Sequence, residues 1–465
     1  MQRVKILALF FLSLASFSSF SSVSSCNDES LNNFILIHGI GGNVESFGEM
    51  KNTIPNDLEC AVVHEYAYAT EDSLLTPEDF ARGLNTFISK IPWSGKRKDL
   101  NLIAHSQGGL ISLIWIVKSL KNEEGYSSES AKRVNTYTTL STPFWGSDFA
   151  LMGDYTFFGL GLKDNSISPF GKKQLELMQY GSSYFRDMIE VLISPENEFI
   201  RNYLKNDIRI LNVKATLPKV SSFTNSIGAQ FFEGDAIVNL PSMTLNFNFA
   251  ELLNEDYSTD KNETAIIKEN HLASESYTYG SHMFIGPGVE AVAEVPIECL
   301  SVSDCNHIAY KNFKDFYLKN IVNSDSKIES DLQGFELHVI VELPENHEED
   351  TTRDMKINII PSEDISMSYY LFDHDDQEPL TIIDNKLYFV LKGSITNDQI
   401  KKSSLGLSID ILNTKQRNLK INVTKGLVTI LKTNLTELDQ ITKDYLQAKR
   451  KEEKKNRLRK LRRKK

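Results

Sequence analysis

Between Phe34 and about Asn320, short apolar runs alternate with segments of helical spacing. Phe34-Ile35-Leu36-Ile37 and Leu102-Ile103-Ala104 are continuous apolar runs of strand length, and Leu110 to Ile116 has the breadth of a buried helix. Strands covered on both faces are apolar at successive positions, so the alternation predicts an α/β domain on a mostly parallel sheet. After about Ser324 the period changes to two. Phe335, Leu337, Val339, Val341 and Leu343 alternate with mostly polar neighbours, as do Met355, Ile357 and Ile359, then Leu405, Leu407, Ile409 and Ile411, then Leu419, Ile421 and Val423. Successive strand side chains point to opposite faces, so these segments predict a smaller antiparallel β-sandwich of roughly 110 residues. No internal repeat points to a solenoid or propeller.

The chain opens on Met-Gln-Arg-Val-Lys, followed by an apolar run from Ile6 to about Phe17 and a serine-rich stretch to Ser25. Basic, apolar and small-residue regions in that order have the form of a secretory signal. A spanning helix needs about 20 apolar residues, more than this run provides. Residues 1–25 are therefore expected to be a signal peptide, 30–322 a catalytic α/β domain, 325–436 the sandwich, whose role the residues do not indicate, and 437–465 a basic tail.

With 465 residues, 41% hydrophobic and 24% charged, the chain can bury a sizeable core, which excludes general disorder. The formal charge of −11 conceals two unlike parts. Lys449 to Lys465 holds 12 Lys or Arg against two Glu, a net of +10, leaving 39 basic and 60 acidic residues, a net of −21, for the rest. An acidic body makes nucleic acid a poor partner. The tail reads either as a solvated end or as a patch for anionic lipid, where each Lys or Arg near the surface contributes about 1 kcal/mol. Four cysteines in an exported chain suit two disulfides, Cys299 with Cys305 and Cys26 with Cys60. Val23-Ser24-Ser25-Cys26 also resembles the lipobox of bacterial lipoproteins; lipidation of Cys26 would compete with its disulfide.

Candidate chemistry begins at Ala104-His105-Ser106-Gln107-Gly108-Gly109, between an apolar strand and a helix. This matches the nucleophile elbow Gly-x-Ser-x-Gly with Ala in the first position. Small residues flank the serine because the strand turns sharply into the helix there. Ser106 would be the nucleophile, and the Gln107 backbone N–H would face a developing oxyanion. Upstream, Phe34 to Ile37 runs into His38-Gly39-Ile40-Gly41-Gly42, which resembles the His-Gly oxyanion segment of α/β-hydrolase lipases and places the second oxyanion N–H on Ile40.

With these segments the chain resembles the α/β-hydrolase fold and, within it, the lipase and esterase group, over roughly residues 30 to 320. Thr139-Leu140-Ser141-Thr142-Pro143-Phe144-Trp145-Gly146-Ser147 looks like the Thr-Leu-x-Thr-Pro-x-x-Gly-Ser strand end of lipases and related deacylases. Gly234-Asp235-Ala236-Ile237-Val238 resembles the family's acid loop, with Ala236 where Gly is usual, and makes Asp235 the acid; Glu233 is the fallback, Asp148 and Asp154 weaker ones. The base comes last in chain order. Apolar Ile297 to Val302 reads as the last strand, so His307 in the loop after it is the expected base, with His271 and His282 as the other candidates. His38 and His105 are expected to be structural. The resemblance also implies a cap or lid at about 148–190, where Phe149 to Met152, Tyr155 to Leu162 and Phe170 are rich in apolar side chains.

Asp373-His374-Asp375-Asp376 carries metal-ligand residue types but is better read as an acidic turn, so neither metal nor cofactor is expected. The combined expectation is an exported serine hydrolase that cleaves acyl esters, with a lipid as partner and peripheral membrane contact through lid and tail. The same triad would serve a thioesterase or amide deacylase. A catalytically silent binding or adhesion protein on this fold is the reading from another class. Oligomeric state is not legible.

Overall fold

The computed structural model describes residues 26, 29–93, 95, 97–147, 150, 171–218, 233–235, 237–252, 263–282, 290–302, 305–343, 356–370, 382–383, 386–410 and 417–434. The signal segment, the basic tail, the acidic turn at 373–376 and the stretch from 151 to 170 lie outside the described residues.

Five strands open the chain: β1 (Asn32–Ile37), β2 (Ala61–Tyr66), β3 (Leu100–His105), β4 (Val134–Leu140) and β5 (Arg209–Thr216). They join β9 (Ser274–Tyr279) in one sheet, ordered β2-β1-β3-β4-β5-β9, and every pairing is parallel. This is the mostly parallel α/β sheet that the alternation predicts. Helices α1 (Met50–Asp57), α2 (Pro77–Ile88), α3 (Gln107–Leu120) and α4 (Ser128–Lys132) lie between the early strands. They are followed by α5 (Lys172–Met178), α6 (Ser183–Ile193), α7 (Glu198–Asn206), α8 (Ile308–Lys319) and α9 (Ser326–Asp331).

Both faces of the sheet are covered, which is why β1 and β3 are apolar at successive positions. Ile35, Ile37, Leu102 and Ala104 pack with Phe80 and Leu84 of α2 and Leu110 and Ile114 of α3. Phe34, Leu36 and Ile103 pack on the other side with Met50 and Ile54 of α1 and Phe313 and Phe316 of α8. Pro77 at the first turn of α2 and the Thr76–Asp79 capping box fix where that helix starts.

The second part is a two-sheet sandwich with two departures from expectation. Its strands are β6 (Phe247–Leu252), β7 (Glu263–Thr264), β8 (Ile267–Asn270), β10 (Gly334–Glu342), β11 (Lys356–Pro361), β12 (Ile365–Tyr370), β13 (Ile382–Ile383), β14 (Lys386–Ile395), β15 (Lys402–Asp410), β16 (Arg417–Thr424) and β17 (Val428–Asn434). The larger sheet runs β12-β14-β10-β17-β6-β8, with β13 on β14, and the smaller one β11-β15-β16-β7. First, the sheets are mixed: β10–β17, β17–β6 and β16–β7 are parallel. Second, β6, β7 and β8 come from within the stretch expected to be purely hydrolase, so the sandwich draws strands from both sides of the expected boundary near residue 325.

The period-two pattern of β10 is explained by this packing. Phe335, Leu337, Val339 and Val341 lie in the core between the two sheets, together with Phe389 of β14, Leu407 of β15 and Ile421 of β16. Ile340, with Tyr388, Val390 and Ile430, packs instead into the hydrolase core.

Another expectation is corrected here. Ile297–Leu300 is a short 3-10 helix, not the last strand, and Ile297 is 67% exposed. The last strand of the parallel sheet is β9, Ser-Glu-Ser-Tyr-Thr-Tyr, at the sheet edge. Its polar side chains serve the contacts described below, so it lacks the apolar signature of an interior strand.

Candidate active site

Ser106 sits between β3 and α3 with φ 53° and ψ −126°, the strained backbone of a strand-to-helix elbow. Ile37, His38 and Thr142 crowd the turn. A side chain on Gly108 would collide with the Ile37 and His38 carbonyl oxygens, and one on Gly109 with Thr142. Across the elbow, a Cβ on Gly39 would lie 2.7 Å from Cβ of Ser106. The His-Gly turn therefore approaches the serine more closely than a residue with a side chain could. Gln107 is the first residue of α3, so its N–H has no acceptor within the helix. Ile40 lies in the adjoining turn, which the Gly42 N–H closes on the Gly39 carbonyl at 3.1 Å.

Asp235 is fully buried in a tight turn. Its Oδ1 accepts the N–H groups of Ile237 at 3.0 Å and Val238 at 2.9 Å, and its Oδ2 lies 2.7 Å from Nδ1 of His282. A carboxylate has only acceptors to offer, so Nδ1 carries the proton and Nε2 of His282 keeps its lone pair. His282 follows β9 by three residues, and its ring lies 4.6 Å from that of His105, the neighbour of Ser106 in sequence. Asp235, His282 and the elbow thus gather at the carboxyl ends of β3 and β9.

His307, the expected base, is elsewhere in its hydrogen bonding. It caps α8, with Nδ1 accepting the Tyr310 N–H at 3.4 Å and Nε2 donating to the Ala291 carbonyl at 3.1 Å. Its one basic nitrogen is thus occupied, leaving no lone pair for a serine proton. Burial holds this imidazole below its ordinary range, against opposing contributions from the Ala291 bond and nearby Glu290 and Glu294. His271 is on the surface beside Glu269.

The other expected residues have structural surroundings. His38 stacks on Tyr68 with centroids 4.2 Å apart; its Nε2 accepts the Tyr68 N–H and its Nδ1 donates to the Gly39 carbonyl. Burial lowers the pKa of His38, and lowers that of His105 further, with the neighbouring His282 adding to the effect. Glu233 does not approach His282: its carboxylate accepts the N–H groups of Gln333 and Gly334. Asp148 and Asp154 lie outside the described residues. Within the expected lid, α5 and α6 are packed into the core through Leu175, Met178, Phe185 and Ile189. Among the described residues, no group of three or more His, Cys, Asp or Glu side chains is arranged to hold a metal ion.

Residues 28–165, which hold both the His-Gly turn and the elbow, match the family model described as "Putative serine esterase (DUF676)". The fold is similar to that of phospholipase PlaB from Legionella pneumophila, over 88% of this chain and 94% of that one, at 14% identity and a TM-score of 0.57. The chain has the α/β-hydrolase fold, and its segment with the elbow is similar to serine esterases. The same phospholipase in complex with thio-NAD gives a TM-score of 0.54 at the same identity and coverage. The mature lipase BlEst2 from Bacillus licheniformis gives 0.33 at 16% identity, over 48% of this chain and 82% of that one. No curated protein sequence matches the chain.

In this hydrolase the two remaining motif segments act on each other. Ser147 Oγ donates to the Ile237 carbonyl of the Asp235 turn at 2.6 Å, and Ser242 Oγ donates to the Gly146 carbonyl at 2.7 Å. The Trp145 N–H reaches Ser242 Oγ at 3.2 Å, and its indole N–H the Thr244 carbonyl at 2.7 Å. Trp145 to Ser147 therefore brace the turn that carries Asp235. One signal in the sequence does point to His282: it lies just after Tyr277-Thr278-Tyr279, strong strand formers.

Proposed function

We propose that this esterase cleaves acyl esters of lipids, most simply glycerophospholipids, through an acyl-Ser106 intermediate with His282 as base and Asp235 as its partner. The observation that carries the reading is the 2.7 Å Asp235–His282 pair, which leaves Nε2 free at the end of the sheet where Ser106 is presented. Ser106 Oγ attacks the ester carbonyl as His282 Nε2 takes its proton, and Asp235 balances the imidazolium. The N–H groups of Ile40 and Gln107 receive the oxyanion; one such donor is worth about 3 kcal/mol in the transition state. Collapse expels the alcohol, which takes the proton from His282. Water then repeats the attack on the acyl group, with His282 again as base, and the free acid leaves.

The lipid substrate is supported by the likeness to a phospholipase along most of the chain, sandwich included. The basic run from Lys449 to Lys465 supports contact with an anionic membrane surface. Export is supported by the form of residues 1–25 and by the Cys26–Cys60 and Cys299–Cys305 disulfides. With Cys26 paired, its sulfur is unavailable for lipidation. The mature protein should show no free thiol and no lipid adduct by mass spectrometry.

The test compares hydrolysis of phospholipid vesicles with that of soluble nitrophenyl esters, thioesters and amides. Wild type should label with a fluorophosphonate and release fatty acid from the vesicles, whereas Ser106→Ala should do neither. Turnover confined to short soluble esters would remove the lipid reading, and faster thioester or amide cleavage would move the enzyme to that class. No labelling at all in the folded protein would leave a silent binding fold.

A further inference from the structure

Asp235 and His282 are joined by a stretch of chain that leaves the catalytic sheet, since β6, β7 and β8 lie between them in sequence and pair into the sandwich. The return contacts are buried and polar. Glu336 and His338 of β10 are 1% and 0% exposed, although they occupy the polar positions of an alternating strand. Glu336 Oε1 accepts the Tyr180 hydroxyl at 2.9 Å and the Asn239 amide at 3.4 Å; Oε2 lies 3.3 Å from Nε2 of His338. Lys392, opposite Glu336 on β14, stands 3.8 Å from the carboxylate. Asn239 is four residues past Asp235 and pairs across the turn with Gly234.

On the near side of the same turn, the Glu233 carboxylate accepts the N–H of Gln333 at 3.0 Å and that of Gly334 at 2.7 Å, where β10 begins. The Glu233 carbonyl accepts the Leu240 N–H at 2.8 Å, which closes the turn. The loop that carries Asp235 is thus fastened to β10 at both ends, by Glu233 before it and by Asn239 after it. The histidine side is fastened too. Lys214 of β5 bonds Glu275 and Tyr277 of β9, the strand leading to His282, and donates to the Gly426 carbonyl of the sandwich at 3.0 Å.

We propose that the sandwich is the rigid mount of the acid and base, and that Glu233 and Glu336 are positioning residues that set Asp235 against His282. This rests on the triad reading above. Catalytic groups must be held within about 0.5 Å of their working geometry, and a misplacement of about 1 Å costs on the order of 100-fold in rate. A turn anchored on a β-sheet meets that tolerance better than one held only by its own amides.

A double-mutant cycle in the full-length protein, read with a soluble fluorogenic ester, tests this. Glu233→Ala should lower kcat about 10- to 100-fold with KM nearly unchanged, while thermal unfolding shows a folded chain. Glu233→Gln, whose remaining carbonyl oxygen can still accept both amides, should recover most of the loss. In the Asp235→Ala background, Glu233→Ala should cost nothing further, because a positioning residue has nothing left to position. An equal fold-loss in both backgrounds, or wild-type kcat for Glu233→Ala, overturns the proposal. Should Glu233→Ala not fold, Asn239→Ala carries the same cycle from the other end of the turn, with the same two outcomes. If Asp235→Ala itself turns over like wild type, it is the triad reading that fails.

Discussion

Two histidines near the end of the α/β part differ in the hydrogen bonds on which the proposed triad rests. His282 spends its Nδ1 proton on Asp235, whereas His307 spends both nitrogens on backbone. His282→Ala should therefore lower kcat on a soluble ester by about 10⁴-fold, the scale on which a triad member matters. His307→Ala should leave kcat within a few-fold and lower stability by about 1–2 kcal/mol, the cost of a lost helix cap. Steady-state kinetics and urea unfolding of the two variants check both halves. Buried charge gives a further prediction at this scale. Lys214 is wholly buried with its ammonium 3.4 Å from Glu275. Burial works to raise the Glu275 carboxyl, but Lys214 and bonds from Thr244, Tyr277 and Asn246 outweigh it and hold the group below its usual range. Lys214→Ala leaves that carboxylate unpaired in the interior and should destabilise by about 3–5 kcal/mol in denaturant titration.

Elements were legible wherever their burial matched a simple period. β1, β3 and α3 carry long apolar runs because helices or strands cover them on both sides, and the elbow between β3 and α3 follows from its small residues. That elbow has a sharp steric requirement. Gly108→Ala would press a methyl group against the Ile37 and His38 carbonyls, at the end of β1 and the start of the His-Gly turn. The expected result is a loss of about 1–3 kcal/mol in stability together with lower kcat, measured by thermal unfolding and ester turnover. Periodicity misleads where burial is unusual. Ile297, Leu300 and Val302 are apolar yet exposed beside the Cys299–Cys305 disulfide, while β9 is polar yet completes the sheet, because Glu275 and Tyr277 are consumed in internal hydrogen bonds.

For the whole molecule, the hydrolase and the sandwich are interleaved in sequence and joined through buried polar side chains. That burial has a pH consequence. Desolvation lowers the pKa of His38, His64, His105, His307 and His338. As pH falls below about 6.5, the unfolded chain takes up protons at these rings that the native state refuses, so stability falls. Glu336 adds to this at lower pH. Burial opposes its ionisation, but Lys392, His338 and Tyr180 hold it below 4.5, so its contribution is lost as pH falls through that depressed value. Thermal midpoints should decline steadily from pH 7 to 5 and steeply below about 4.5. A flat profile from pH 7 to 5 would show that these rings titrate normally.

The sequence by itself determined the α/β class, the position of Ser106, the turn that carries Asp235 and the sandwich alternation, because each depends on neighbours within a few residues. Strand period, elbow sterics and turn chemistry are local. Only the tertiary structure decided which histidine meets Asp235 and where the sandwich takes its strands. Pairing of β6 with β17, and of Glu233 with the start of β10, joins residues about 100 to 180 positions apart, and no local pattern encodes such a contact. The polar residues of β10 and β9 look solvent-facing to any period-two reading. They are buried because their partners arrive from the other half of the molecule.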